Sequence, residues 1–294
     1  MNKPSKIHDL IDEPELVDRI INSPESFPLN EGVYFRNLRD DYYRLNLRFA
    51  NFSLLKEIDK SPAHAFLEKK QTPAMKFGSF VHELILTENR FPFESFSPNF
   101  MSAKILEDDA FFEKQKVKYK KDRADFALSY YQKEIISEDY WEAGFKIRDA
   151  IDNNDLAKGL MKDADFEIAV YRHLNGFDFK GKADILGGDY VADLKTSSDF
   201  LANDFSKSIW AYKYHVQAAL YCALFNKPNF YWIVAEKTEP YSVAVYKASP
   251  EMLDRGYQDL DRLLVKWQGW LDNKDQLAFK QNQIEEINLP SWVY

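Results

Sequence analysis

Cysteine is almost missing from this sequence of 294 residues. Cys222 stands alone, which excludes an intramolecular disulfide framework, a structural zinc site built on several thiolates, and a four-thiolate iron–sulfur cluster. A reducing compartment, the cytoplasm, is the expected setting. Long apolar runs are missing too. No stretch approaches the ~20 residues that span a bilayer, and the polar opening MNKPSKIHDL has no apolar signal core. Neither a membrane partner nor Sec-type secretion is expected. Positive charge is in deficit: a net charge of -8 and a pI near 5.3 exclude a protein that coats nucleic acid indiscriminately. A local basic channel stays possible.

What is present is the composition of a globular chain, 45% hydrophobic and 29% charged, long enough for one large domain or two small ones. Residues 1–41 read as an N-terminal extension of short helices and turns, because Pro4, Pro14, Pro24 and Pro28 break any long helix. Helical spacing begins near Phe49, through SLLKEID, then SPAHAFLEKK with Pro62 at its first position, then KFGSFVHELIL. A basic insertion is expected at about 91–130. Within it, Lys114 to Arg123 carries six basic residues and one acid, so the rest of the chain totals -13. Lys116, Lys118, Lys120 and Lys121 either track phosphates or lie on a solvated helix face. SEDYWEAGFKIRDAIDNNDLAKGLM reads as two helices. The period then changes to alternation in DFEIAVYRHL, GFDFKGKADIL and GDYVADLKT, with hairpin turns expected at Asn175-Gly176 and Gly187-Gly188. One helix over roughly 205–226, two strands in NFYWIVAEK and YSVAVYKA, and a last long helix complete the reading. The aromatic end INLPSWVY is expected to pack on the body.

The two turns fix the strand pairing. The first places Glu167 directly opposite Asp184. The second places Asp184 opposite Val191, with Asp193 its diagonal neighbour on the same face and Lys195 two positions further. One face of the meander then carries Glu167, Tyr171, His173, Lys180, Lys182, Asp184, Asp193 and Lys195. The other carries Phe166, Ile168, Val170, Phe177, Phe179, Ala183, Ile185, Tyr190, Ala192 and Leu194, and is expected to be the core face. Like charges placed opposite each other destabilise a sheet unless something neutralises them. Three clustered acids with a lysine at their edge suit a hard divalent cation, which prefers oxygen ligands.

Gly181-Lys182-Ala183-Asp184, followed nine residues later by Asp193-Leu194-Lys195, resembles the D…(D/E)-x-K core of the PD-(D/E)XK nuclease superfamily. Ala183 stands where the signature proline would be. Gly78-Ser79-Phe80-Val81-His82 resembles the G-x-x-x-H helix motif of RecB-like and RecE-like nucleases, and Gln217-Ala218-Ala219-Leu220-Tyr221 their Q-x-x-x-Y motif. YYRLNLRFANFSLLKEIDKSPAHAF is similar to the opening of the nuclease domain in the RecE (exonuclease VIII) family. The resemblance covers roughly 42–90 and 140–225.

This resemblance implies an α/β fold: a mixed sheet flanked by helices, the restriction-endonuclease-like core, over 42–294. It implies Mg²⁺, with Mn²⁺ as a substitute, as one or two ions per site. Asp184 and Asp193 would be ligands, joined by the Leu194 carbonyl, Glu167 and His82. Lys195 would stabilise developing charge or help deprotonate water, and Gln217 and Tyr221 would orient the lysine or the DNA backbone. Lys180 and Lys182, on the active face, could steer phosphate or be merely solvated. The function implied is exonucleolytic hydrolysis at double-stranded DNA ends, 5′ to 3′, leaving 3′ single strands for recombination. A homo-oligomer and a RecT-like single-strand annealing partner come with it. Two alternatives stand beside this: a RecB/Cas4-like nuclease of other polarity, and an inactive DNA-end binding or assembly module.

Overall fold

The turn Asn175-Gly176 sets the architecture. Both residues have positive φ, 49° and 84°, the backbone that joins two strands through a two-residue loop without splaying them. The computed structural model describes residues 7–9, 14–36, 49–67, 70–86, 100–102, 134–273, 284 and 286–287. The basic run with Lys116, Lys118, Lys120 and Lys121, the boundary at 41/42 and the residues 288–294 lie outside these.

In chain order the elements are β1 (Ile7–Asp9), α1 (Pro14–Asn22), β2 (Val33–Arg36), α2 (Phe52–Ile58), α3 (Pro62–Phe66), α4 (Pro73–Leu86), β3 (Phe100–Ser102) and β4 (Glu134–Ile136). Then come α5 (Glu138–Asp152), α6 (Asp155–Met161), β5 (Asp165–Leu174), β6 (Phe177–Leu186), β7 (Tyr190–Ser197), α7 (Ala202–Ala211), α8 (Tyr214–Phe225), β8 (Asn229–Glu236), β9 (Val243–Lys247) and α9 (Pro250–Asp272). The main sheet has seven strands in the order β1-β2-β5-β6-β7-β8-β9. Its centre is the antiparallel meander β5-β6-β7, and β7 pairs with β8 in parallel across the α7–α8 crossover. The residues expected to form an extension contribute β1 and β2, and β2 pairs with β5. No helix among the described residues is long and apolar enough to cross a membrane.

The β5–β6 register is the expected one, from Leu174↔Phe177 to Asp165↔Leu186. The second hairpin differs. Gly187 donates its N–H to the Tyr190 carbonyl at 3.0 Å, so the loop is Gly188-Asp189 rather than Gly187-Gly188. Gly187 serves packing instead: a Cβ there would lie 2.2 Å from the Tyr190 ring. The observed pairs are Leu186↔Val191 and Ile185↔Ala192, which brings Asp193, not Val191, abreast of Asp184. The shift preserves parity, so the β6 and β7 residues that were expected to share a face across this hairpin still do.

A wet face and a core face do not describe this sheet, because both sides are covered. Ile168, Val170, Phe179, Ala183, Trp232 and Val234 pack with α8, α9 and α2. Ile185, Ala192, Leu194, Ile233 and Ala235 pack with α4, α5 and α6. The expected core face therefore changes sides between Ala183 and Ile185. At that point Glu167, abreast of Asp184, has a left-handed φ of 54°, and the ladder is interrupted. A non-glycine residue held there is strained and marks a site worth inspecting.

The helix expected over roughly 205–226 is two helices. Lys213 takes a left-handed φ of 59° between α7 and α8, held by its ion pair with Asp59 at 2.7 Å. Helix α8 is buried around almost its whole circumference, between the sheet and α9. Two glycines allow that: a Cβ on Gly181 would meet Leu224 at 2.7 Å, and one on Gly256 the His215 carbonyl at 2.3 Å.

Candidate active site

Three elements converge where β6 and β7 part. Pairing between those strands runs only from the hairpin to Ile185↔Ala192. Beyond it the Asp184 carboxylate takes over, its Oδ2 accepting the Leu194 N–H at 2.8 Å. A side chain replaces the next rung, and the carboxylate is buried in the opening. Burial is the main reason its proton is held so tightly, and the charges of Asp193 and Glu167 add to it. His82 and Lys195 pull the other way, and the net effect pushes Asp184 up to about 7.

Helix α4 brings His82 to the same place. Its Nε2 donates to the Leu194 carbonyl at 2.8 Å, since a carbonyl can only accept. In the neutral ring this leaves the Nδ1 lone pair facing Asp184 Oδ2 at 3.6 Å. His82, Glu167 and Asp184 each offer one donor atom, all within 4.8 Å of one another. Gly78, one turn earlier, is not required for close approach: a Cβ would meet Thr196 at an ordinary 3.7 Å.

In the other half of the site the charged groups are paired within the protein, although Gln217 Oε1 is buried without a hydrogen-bond partner among the described residues. Asp193 accepts a hydrogen bond from Gln217 Nε2 at 2.7 Å on Oδ1 and an ion pair from Lys195 Nζ at 2.5 Å on Oδ2. Burial alone would lower the Lys195 pKa, but Asp193 beside it, with Tyr214 and Asp184, raises it above the ordinary lysine value. The ammonium also sits 4.8 Å over the Tyr214 ring, a cation–π contact. Tyr214, Gln217 and Tyr221 follow at i, i+3 and i+7 on α8 and share one face.

The expected site residues thus divide. Asp184, Asp193, Lys195, Gln217, Glu167 and His82 come together. The Leu194 carbonyl is there too, engaged by His82. Tyr221 is buried behind the site, close enough to feel the charges of Asp193, Asp184 and Lys195, and its hydroxyl meets the backbone of Lys182 on β6. Lys182 is ion-paired with Glu167, which neutralises the like-charge pair read from the register. Lys180 is buried, only 2% exposed, so it does not lie on an open face. Tyr214 was absent from the motifs. Its signal was its position three residues before Gln217, on the same stripe of a helix already tied to the site.

The donor set fits a hard divalent cation. It is rich in carboxylate oxygen, and among the described residues the buried Asp184 carboxylate has only the His82 ring and the lysine already committed to Asp193 to offset its charge.

Among solved structures, the chain is similar to a candidate exonuclease from Eubacterium rectale, at 14% identity and a TM-score of 0.51, over 87% of this chain and 97% of that one. At that identity the likeness shows the fold. A phage-related exonuclease from Haemophilus somnus 129PT matches at 14% identity over 78% of this chain and 98% of that one, with a TM-score of 0.35, too loose an overlay to bear on the argument. No curated protein matches the sequence significantly. Residues 51–276, most of the chain and all of the site, match the PDDEXK-like domain of unknown function (DUF3799). The D…D-x-K strands, the interrupted sheet and the helices around them therefore place the chain in that PDDEXK-like family of the PD-(D/E)XK nuclease superfamily.

Proposed function

We propose that the protein is a Mg²⁺-dependent exonuclease that hydrolyses phosphodiester bonds at double-stranded DNA ends. The observation that carries this reading is the side-by-side arrangement of Asp184 and Asp193 with Lys195 at their edge. Asp184, Glu167 and His82 would hold the ion, with Asp193 as a further ligand once Lys195 turns toward substrate. Bound there, Mg²⁺ would neutralise charge on the scissile phosphate and make water a better nucleophile. Lys195 places an ammonium where negative charge develops as the phosphorus–oxygen bond breaks. Gln217 fixes the Asp193 carboxylate, and the Tyr214 ring limits where the Lys195 ammonium can go. His82 ties α4 to β7 through the Leu194 carbonyl and keeps Nδ1 aimed at Asp184.

Polarity of 5′ to 3′, a role in recombination, a ring-shaped homo-oligomer, a single-strand annealing partner and the cytoplasm as its place belong to the proposal through the RecE resemblance. The test is a digest of linear and circular plasmid with Mg²⁺, with Mn²⁺ and with chelator, together with duplexes labelled at either end. Loss of linear DNA alone, from the 5′ end and only with metal, is the expected result. Equal loss of the circle would replace an exonuclease with an endonuclease.

A further inference from the structure

The cavity beside Lys195 holds more than catalytic groups. It measures about 360 Å³ and is lined by His82 and Lys195, and by Ser197, Ser208, Met75 and Tyr212. Its polar parts belong to a site that handles phosphate. The last two do not, and both stand in the open: Met75 is 49% exposed and Tyr212 53%. Side chains so exposed bury little of their surface in the protein and are free to meet a ligand.

Tyr212 is also held in position. With left-handed Lys213 it makes up the two residues between α7 and α8. One face of its ring lies on Tyr214, the centroids 5.6 Å apart and the planes 29° from parallel. Tyr214 in turn lies beneath Lys195. Two stacked rings thus lead from Lys195 to an aromatic side chain that lines the cavity and is half exposed to solvent. Met75, on the first turn of α4, is a flexible and polarisable side chain able to fit against a flat partner.

We propose that Tyr212 and Met75 form a site for the base of the nucleotide adjoining the scissile phosphate, and that this base must be unpaired to enter it. The inference rests on the nuclease reading above and names the form in which that site takes DNA. A paired base has both faces covered by its neighbours in the stack and cannot offer one to Tyr212. Only a base freed from the duplex end, or one in a single strand, can. Stacking is indifferent to which base it is, because every base has a π-face. A site of this kind therefore accepts any sequence, and it commits the terminal nucleotide to leave the helix before the bond breaks.

The experiment uses the full-length chain carrying Asp193→Asn to suppress cleavage, and a short single-stranded oligonucleotide with 2-aminopurine at successive positions. Binding should change the fluorescence most at one position. Tyr212→Ala should weaken binding roughly tenfold, and Tyr212→Phe should restore it, since the ring and not the hydroxyl does the stacking. An abasic residue at that position should cost the Tyr212 protein a similar factor and cost Tyr212→Ala almost nothing more. Affinity within twofold for Tyr212→Ala, or an equal abasic penalty in both proteins, overturns the base site. Unchanged affinity together with a shift toward monomers in sedimentation would give the patch to a second copy of the chain, and overturns it as well. A protein that neither binds nor cuts nucleic acid removes this inference along with the nuclease reading. One that cuts normally while Tyr212→Ala binds normally removes this inference alone.

Discussion

The two halves of the site manage their charge in opposite ways. On the β7–α8 side, Asp193 meets Lys195 and Gln217, and Lys195 meets Tyr214, so each charged group has a protein partner, although Gln217 Oε1 is buried without one among the described residues. On the α4–β5–β6 side, Asp184 is buried on a backbone N–H with His82 and Glu167 nearby, and its charge is offset only in part, by the His82 ring and the shared Lys195. Glu167 has Lys182, but among the described residues no lysine or arginine pairs with Asp184 alone. The difference teaches where the site is complete and where it awaits an ion. The first half holds groups in position, and the second gathers acids that the described residues neutralise only in part.

The comparison breaks most sharply through the paired half. Asp193→Asn and Lys195→Ala should each lower cleavage at least ~10³-fold while DNA affinity changes little, as expected when stabilisation of the transition state is lost. Single-turnover cleavage beside a binding isotherm checks this. Near wild-type cutting by either variant would remove the site assignment. Tyr214→Leu tests the support of that half. A misplaced lysine should cost roughly 10–100-fold in kcat with KM little changed, and Tyr214→Phe, which keeps the ring, should recover most of it.

The partly neutralised half should reveal itself through pH. Asp184 binds its proton up to about pH 7 in the folded chain, well above an unfolded aspartate. Between those two values the folded state holds more protons than the unfolded one, so metal-free stability falls as pH rises from about 4 to 7. Asp184→Asn cannot undergo that loss. It should be more stable than the parent by about 2 kcal/mol at pH 8 without metal, and the gain should vanish near pH 4. Denaturant melts with chelator at both pH values measure it; an equal gain at both would mean that burial of charge is not the cause. The smallest effect belongs to Glu167. With Lys182 beside it, Glu167→Gln exchanges a relieved repulsion for a broken ion pair, and metal-free stability should move by less than about 1 kcal/mol. A larger rise would mean that Lys182 does not neutralise the acid.

Much of this was legible because it depends on local chemistry. Asn175-Gly176 accepts positive φ at two successive residues, and that alone fixed the β5–β6 register. Asp184, Asp193 and Lys195 then fell together on one face, and parity kept them there although the second loop lies one residue later. That shift was hidden because Gly187 reads as a turn residue while in fact making room for the Tyr190 ring, a tertiary contact. The change of sides between Ala183 and Ile185 was hidden for a similar reason, since nothing in a glutamate's identity announces the left-handed backbone of Glu167. The break at Lys213 was silent too. It involves no glycine or proline and is held by Asp59, which lies far away in the chain. Tyr214 and Tyr212 owe their places to that break, so motif spacing could find Gln217 and pass over both.

The direct test of the account is a calorimetric titration of Mn²⁺ into the wild-type protein, Asp184→Asn and Gln217→Ala, without DNA. If the partly neutralised half is the ion site, the wild type binds, Gln217→Ala binds within a few-fold of it, and Asp184→Asn loses most of the affinity. Wild-type affinity retained by Asp184→Asn, or lost only in Gln217→Ala, would contradict the division of the site into a paired half and an ion-binding half.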